Sequence, residues 1–257
     1  MNKWVRFEKN GSNHFGIVDD KKITRYQGDM FDKNNATDEV FALNDVTLLA
    51  PCLPTKIIAL WNNFYALAEK QGNDIPKAPY YFIKPSSCVI GADTAIIPPA
   101  SYQGRIFYEG ELGIVIGKKC KEVSLAEAEN YIFGYTCVND VTAMQLIHQE
   151  EAFEQWSRAK SFDTFGAIGP CISTLSNPEG LTVKTWVNGR ERQNYPIEDM
   201  IFSPTQLVSL LSADMTLNAG DVIACGTSLG AMPMKKNTKI EVIINNIGVL
   251  ENIYLPE

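Results

Sequence analysis

The chain has 257 residues, a formal net charge of -7, 45% hydrophobic residues and 21% charged residues, the balance of an ordinary soluble globular protein. With no basic patch to offset phosphate repulsion, the charge argues against nucleic acid as a partner. Met1–Glu8 has no signal-peptide core and no apolar run reaches the roughly 18 residues of a membrane span, so a cytoplasmic protein with no membrane partner is expected.

In chain order, residues 1 to about 50 read as β-rich. Trp4–Phe7 and His14–Val18 are strand-like runs broken by the turn formers Asn10-Gly11 and Asp19-Asp20. Val46–Ala50 leads into Pro51-Cys-Leu-Pro54, a plausible junction. This gives a small N-terminal β domain over 1–52 and a larger domain over 53–257. Lys56–Trp61 reads as a buried strand, Phe64–Gln71 as a helix stopped by Gly72, and Tyr80–Lys84 as a strand ended by Pro85. Leu112–Ile116 has the composition of a buried strand closed by Gly117. Ser124-Leu-Ala-Glu127 reads as a capping box opening a helix through Tyr131. Ile132–Val138 is a strand running into Asn139-Asp140, and Thr142–Trp156 is helical in composition. Leu181–Gly189 reads as a strand turning at Asn188-Gly189, and Ser203-Pro204 opens a helix to Leu211. The tail from Asp221 to Leu250 is again β-rich. Strands dominate with a few helices between them, so the fold class is α+β with mainly antiparallel sheet.

The chemistry centres on Tyr108-Glu-Gly-Glu-Leu-Gly113. Side chains on a strand alternate faces, so Glu109 and Glu111 point the same way, roughly 7 Å apart, with Gly110 opposite. Two like charges beside a core disfavour each other's ionisation, and a divalent cation between them is the simplest remedy. The same pair also reads as solvated acids at a strand end. Only two histidines occur, far apart, and the six cysteines are scattered without a C-x-x-C pair. Reduced thiols are expected, and any metal should have mainly oxygen ligands: magnesium, manganese or calcium. Asp140, at a strand-to-helix turn, reads equally as a functional carboxylate or a helix N-cap. Lys160 and Asp163 by themselves read as a surface ion pair, and His148 as a solvated helix residue.

Together these segments are more specific. Tyr108–Gly113, Phe133–Ala143 and Arg158–Phe165 resemble the signature blocks of the fumarylacetoacetate hydrolase family. The resemblance extends through Phe82-Ile-Lys-Pro85, Asp199-Met-Ile-Phe202, Gly220-Asp221 and Cys225-Gly-Thr-Ser228, in the family's order over about residues 46–253. It implies a mixed β-sandwich roll of that family's type with a small N-terminal β domain, and a homodimer. It implies Mg2+ or Mn2+, with Ca2+ as a substitute, held by Glu109, Glu111 and Asp140. Lys160 and Asp163 take catalytic positions, and Thr227 and Lys84 substrate-binding ones; Tyr65 by itself reads as a substrate-binding hydrogen-bond donor or equally as a packed aromatic. The partner it implies is a small 2-oxo acid or 1,3-dicarbonyl compound.

The sequence departs from the family on the lid segment Asn63–Lys70. Leu67 stands where many members have a histidine, and Lys70 where they have a glutamate. Glu69 is one residue off, about 100° around a helix. Met144 and Ile147 replace the usual Arg and Gln after Asn139-Asp140. Hydrolysis of a C–C bond through a metal-stabilised enolate is the first expectation on the family's pattern. Keto–enol isomerisation, which needs no activated water, is nearly equal, decarboxylation is third, and a catalytically weak metal-binding homologue is the non-enzymatic alternative. Lys160 can stabilise an oxyanion, or act as a base if desolvation lowers its pKa.

Overall fold

The computed structural model describes residues 1–255. Its backbone is two stacked β-sheets with short helices at the rim. The larger sheet has twelve strands, ten of them in one path that runs from Asn34–Ala42 at one edge, through Lys3–Lys9, Gly166–Ser173, Ile132–Asp140, Gly110–Ile116, Val222–Ala224 and Lys56–Trp61, to Tyr80–Pro85 at the other. A five-stranded sheet containing Thr182–Val187, Thr238–Ile244 and Gly248–Tyr254 covers one of its faces. Pairing is antiparallel throughout most of both sheets, as the composition predicts. The first strands are hydrogen-bonded into the large sheet, with Lys3 opposite Ser173 and Trp4 opposite Ile172. Among the described residues no helix is long and apolar enough to cross a membrane.

The strand Gly110–Ile116 lies near the middle and is buried along its whole length. Its apolar run does not alternate with polar residues because both faces are covered. Leu112 and Ile114 pack towards the five-stranded sheet with Val183, Val242 and Leu250. Val115 packs on the opposite face with Val138, Ile57 and Phe82. Gly110 belongs to the first face, and a Cβ there would lie 2.0 Å from Thr185 Oγ1, so only glycine allows the sheets to approach at this point. Glu111 is thereby directed to the other face, as the alternation predicts.

Two expected helices are absent as such. Ser124 does not cap a helix: its hydroxyl donates to Glu127 Oε2 at 2.6 Å, and only a short 3-10 turn, Ala128–Tyr131, follows. The stretch expected as one helix over Thr142–Trp156 is two short ones, Met144–Ile147 and Trp156–Lys160, with irregular chain between. Glu150 and Glu154 would be like charges four apart on a continuous helix, which opposes its formation. By contrast Tyr65–Gln71 ends at a left-handed Gly72 as expected. Pro204–Asp214 carries a complete capping box from Ser203 and Gln206 and runs three residues past Leu211.

One buried acid ties these parts together. Asp221 Oδ1 accepts from Thr55 N (3.0 Å), Thr55 Oγ1 (2.6 Å) and Lys56 N (3.3 Å), while Oδ2 accepts from Lys56 Nζ (2.5 Å) and Asn218 N (2.9 Å). It fixes the start of Val222–Ala224 beside both the Lys56–Trp61 and Gly110–Ile116 strands. Asp221→Ala, which strands the partly buried Lys56 ammonium and several backbone N–H groups, should cost about 3 kcal/mol in urea unfolding.

Candidate active site

Two adjacent strand ends meet on the face of the large sheet opposite the five-stranded sheet. Glu109 and Glu111 come from the central strand and the residue before it, and Asp140 from the end of the adjacent Ile132–Asp140 strand. Oxygen atoms of the three carboxylates lie within 4.8 Å of one another, and all three residues are buried. Glu109 N–H donates to Asn139 Oδ1 (3.0 Å), and Asp140 N–H donates to Glu109 O (2.9 Å), so the two strand ends are locked in register.

Lys160 reaches the cluster from the short helix Trp156–Lys160. Its ammonium donates to Glu109 Oε2 (2.5 Å) and Asp140 Oδ2 (2.6 Å). Lys84, wholly buried, donates to Asp140 Oδ1 (2.6 Å) and to the backbone carbonyl of Lys160. Thr142 Oγ1 donates to Glu109 Oε1 (3.1 Å), and Gly226 N–H donates to Glu111 Oε2 (2.9 Å). Glu111 Oε1 has no hydrogen-bond partner among the described residues. Asp140 caps no helix, since Ala143 is the residue preceding Met144–Ile147. Lys160 pairs with the buried acids and not with Asp163, so neither of those simpler readings holds.

With all three carboxylates ionised, the two lysines balance two of them and leave one buried negative charge. The titration of each group follows from that deficit. Burial pushes Glu109 above its ordinary range, against the pull of Lys160. Burial and the neighbouring Asp140 push Glu111 well above it. Burial opposes ionisation of Asp140 as well, but Lys160 and Lys84 outweigh it and hold that carboxyl low. Lys160 is raised: burial disfavours its charge, yet Asp140, Glu109 and Glu111 prevail. Without a metal it is therefore held as a cation, the form that stabilises an oxyanion, and burial does not depress its pKa as the base alternative requires. A hard divalent cation fits here, because the donors are carboxylate oxygens, one of them is orphaned, and the excess charge has the right sign.

The cluster opens into a cavity of ≈840 Å³ whose lining includes Glu109, Lys160, Thr227, Trp156, His148 and Glu154, within the range of small-molecule sites. Thr227 gives its hydroxyl hydrogen to Gly110 O (3.0 Å) and accepts from Gln193 Nε2 (2.9 Å). Three other expected site residues are not brought to the cavity lining. Lys84 sits behind Asp140 with its ammonium occupied, so its place is to hold the acid and not the substrate. Asp163 is exposed on a separate shallow depression beside Phe162 and Pro98. Tyr65 is 47% exposed, because the first turn of its helix presents Leu67 inward instead. Glu69 and Lys70 are exposed on that helix.

Several site residues escaped sequence reading. Gln193 accepts from Gly110 N–H (3.0 Å) and from Thr185 Oγ1 (2.8 Å), and Tyr195 donates to Gly110 O (2.5 Å). Both come from Arg190–Pro196 in the five-stranded sheet and reach the site only through sheet packing. His148 is solvated as expected, its side chain 65% exposed, and it also lines the cavity mouth, with Nδ1 3.0 Å from Glu154 Oε1. Glu154 Oε2 in turn accepts from Trp156 Nε1 at 2.7 Å. A histidine near the Asp140 segment was the available signal.

Glu111 yields a prediction with a definite sign. Its folded pKa is raised, so the folded state holds the proton more tightly than the unfolded chain, and metal-free stability falls as pH rises above the ordinary 4.5. Asp140 acts oppositely: its contribution is present above 3.8 and is lost as pH falls. Glu111→Gln should therefore raise the Tm of metal-free protein at about pH 8 by roughly 3 °C or more, and by less at about pH 5. The same substitution should abolish the thermal stabilisation that millimolar magnesium or manganese gives the wild type, read by differential scanning fluorimetry.

Comparison with known proteins places the chain in a family. Residues 56–253 match the model described as fumarylacetoacetate (FAA) hydrolase C-terminal, and residues 2–51 match one described as Rv2993c-like, N-terminal. The oxaloacetate tautomerase of Bacillus subtilis is 37% identical over 227 residues, covering 83% of this chain and 74% of the relative. A structure of 2-hydroxyhepta-2,4-diene-1,7-dioate isomerase from Mycobacterium marinum superposes with a TM-score of 0.90 at 32% identity, covering 100% of this chain and 99% of that one. Maleylpyruvate hydrolase from a Sphingobium species, solved with manganese(II) and pyruvate, superposes with a TM-score of 0.80 at 26% identity, with 100% and 99% coverage. The family thus contains isomerases, tautomerases and hydrolases acting on small molecules, and the chain, by its matched length, its two-sheet fold and its buried acid cluster, belongs to the fumarylacetoacetate hydrolase family.

Proposed function

We propose that this protein is a magnesium- or manganese-dependent keto–enol tautomerase of a 2-oxo acid. The observation that carries this reading is the Lys160 ammonium held between Glu109 and Asp140 beside three buried carboxylates. The arrangement suits stabilisation of an enolate, and among the described residues the cluster itself holds only carboxylates and ammonium groups. The relation to an oxaloacetate tautomerase supports it.

Glu109, Glu111 and Asp140 would hold the cation, which supplies a Lewis acid for the carboxylate and carbonyl oxygens of the 2-oxo acid. Lys160 spends two of its N–H groups on Glu109 and Asp140 and keeps a third for the oxygen on which negative charge develops. Lys84 keeps Asp140 ionised and Lys160 in place. At the mouth, Nδ1 of His148 is occupied by Glu154 Oε1 at 3.0 Å, which leaves Nε2 as the nitrogen that moves the proton. Nε2 takes a proton from the carbon next to the carbonyl, and the C–H electron pair becomes the enolate double bond. The same nitrogen returns the proton to the enolate oxygen, which closes the isomerisation without any other reactant.

Hydrolysis of a C–C bond in an acylpyruvate is the second reading, favoured by the likeness to maleylpyruvate hydrolase. Oxaloacetate and fumarylpyruvate, followed by enol absorbance together with product acids, separate the two. Enol decay that needs the metal and yields no acid supports tautomerisation, whereas stoichiometric acid supports hydrolysis. Lys160→Met should lower kcat/KM by about 10²-fold or more. His148→Gln should lower kcat by about 10²-fold with KM and the metal-induced Tm shift nearly unchanged.

A further inference from the structure

The wall of the cavity carries a chemical preference that the carboxylate cluster does not explain. Lys160 Nζ lies 5.1 Å from the centroid of the Phe82 ring. Phe82 stacks on Trp156 at 5.9 Å, Trp156 contacts Trp61 at 5.6 Å, and Trp61 stacks on Tyr80 at 5.8 Å. All four rings line the cavity, so one continuous aromatic wall runs from the fixed ammonium outward. Leu67, at the position where many relatives carry a histidine, adds an apolar side chain to the same lining.

The charges along this wall are equally one-sided. Among the described residues lining the cavity, Lys160 is the one lysine or arginine, and the cluster already occupies two of its hydrogens. Glu154 adds a carboxylate at the mouth. Two neutral amides nearby are engaged, Asn62 Nδ2 with Asp74 O (3.0 Å), and Asn73 Nδ2 with Gln71 Oε1 (3.0 Å) and Asn62 Oδ1 (3.4 Å), which leaves the neutral hydroxyl of Ser228 as an unpartnered donor among them. A second carboxylate on the substrate would lose water and meet aromatic faces and acids, with no cation to receive it. A flat uncharged ring would bury its faces against Phe82 and Trp156.

We infer that the substrate is a 2-oxo acid bearing an aryl group on the carbon next to its carbonyl, and not a dicarboxylate. This rests on the tautomerase reading and names its substrate class. It fits the chemistry, since an aryl substituent conjugates with the enol double bond and makes the neighbouring C–H easier to break.

The test compares phenylpyruvate with oxaloacetate on the full-length protein with magnesium or manganese. Keto–enol equilibration should favour phenylpyruvate by about tenfold or more in kcat/KM, the scale of one ring's stacking and burial. Leu67→Arg, which places a cation in the wall, should lower that preference about tenfold or more, by admitting the second carboxylate. Equal or better use of oxaloacetate by the wild type overturns the inference. If neither acid is turned over, the tautomerase reading falls, and equilibrium dialysis still decides the wall's preference. Saturable binding of phenylpyruvate about tenfold tighter than oxaloacetate upholds it, and equal or reversed affinities overturn it.

Discussion

Three carboxylates and two ammonium groups share one buried volume, and their charges do not cancel. Everything around the site responds to that remaining negative charge. Each buried ion would be expensive alone. Lys84 and Lys160 make Asp140 affordable, but Glu111 keeps one oxygen without a partner. A protein selected only for stability would place apolar residues here, since buried ion clusters seldom exceed well-packed hydrocarbon in stability. The acid surplus is therefore best understood as a binding device, because a divalent cation and an anionic substrate together restore neutrality.

Such a device works only if its oxygens are held still, and the two-sheet packing supplies the rigidity. The backbone at Gly110 donates to Gln193 and accepts from Tyr195 and Thr227. Two of those residues, Gln193 and Tyr195, reach across from the second sheet, and Thr227 follows Val222–Ala224 within the first. Gly110 is what permits the contact, since a side chain there would collide with Thr185. On the other side, Asn63 donates to Cys225 O (2.8 Å) and accepts from Phe202 N–H (2.9 Å), while Asp199 accepts from Ala66 N–H (3.1 Å). The Asp199–Phe202 and Cys225–Ser228 segments thus anchor the helix carrying Leu67. The motif residues at a distance from the cluster serve its geometry.

Function within the family then depends on what faces the cluster from the rim. The rim is made of chain with few regular hydrogen bonds, including the irregular stretch between Met144–Ile147 and Trp156–Lys160. Loops of this kind tolerate change while the strands beneath them do not. Leu67 and the His148–Glu154 pair both face the cavity from this rim. Residues there can alter how a proton is moved without disturbing the buried acids.

The sequence by itself determined the strands, the acids and the fold class. Leu112–Ile116 could only be a buried strand, alternation put Glu109 and Glu111 on one side, and the spacing of the motif blocks pointed to the family. These features are local or nearly so, governed by periodicity and by turn formers such as Gly72 and Asn188-Gly189. Sequence alone left open whether Asp140 capped a helix, whether Lys160 could lose its proton, and what Lys84, Asp163, Tyr65 and His148 touch. Each of those depends on burial and on partners tens of residues away. The ionisation of Lys160 depends on three carboxylates from two other strands, and the wall beside it on aromatic residues from three separate segments. Only the tertiary structure, by setting distance and desolvation, decided which charges persist and what chemistry they can serve.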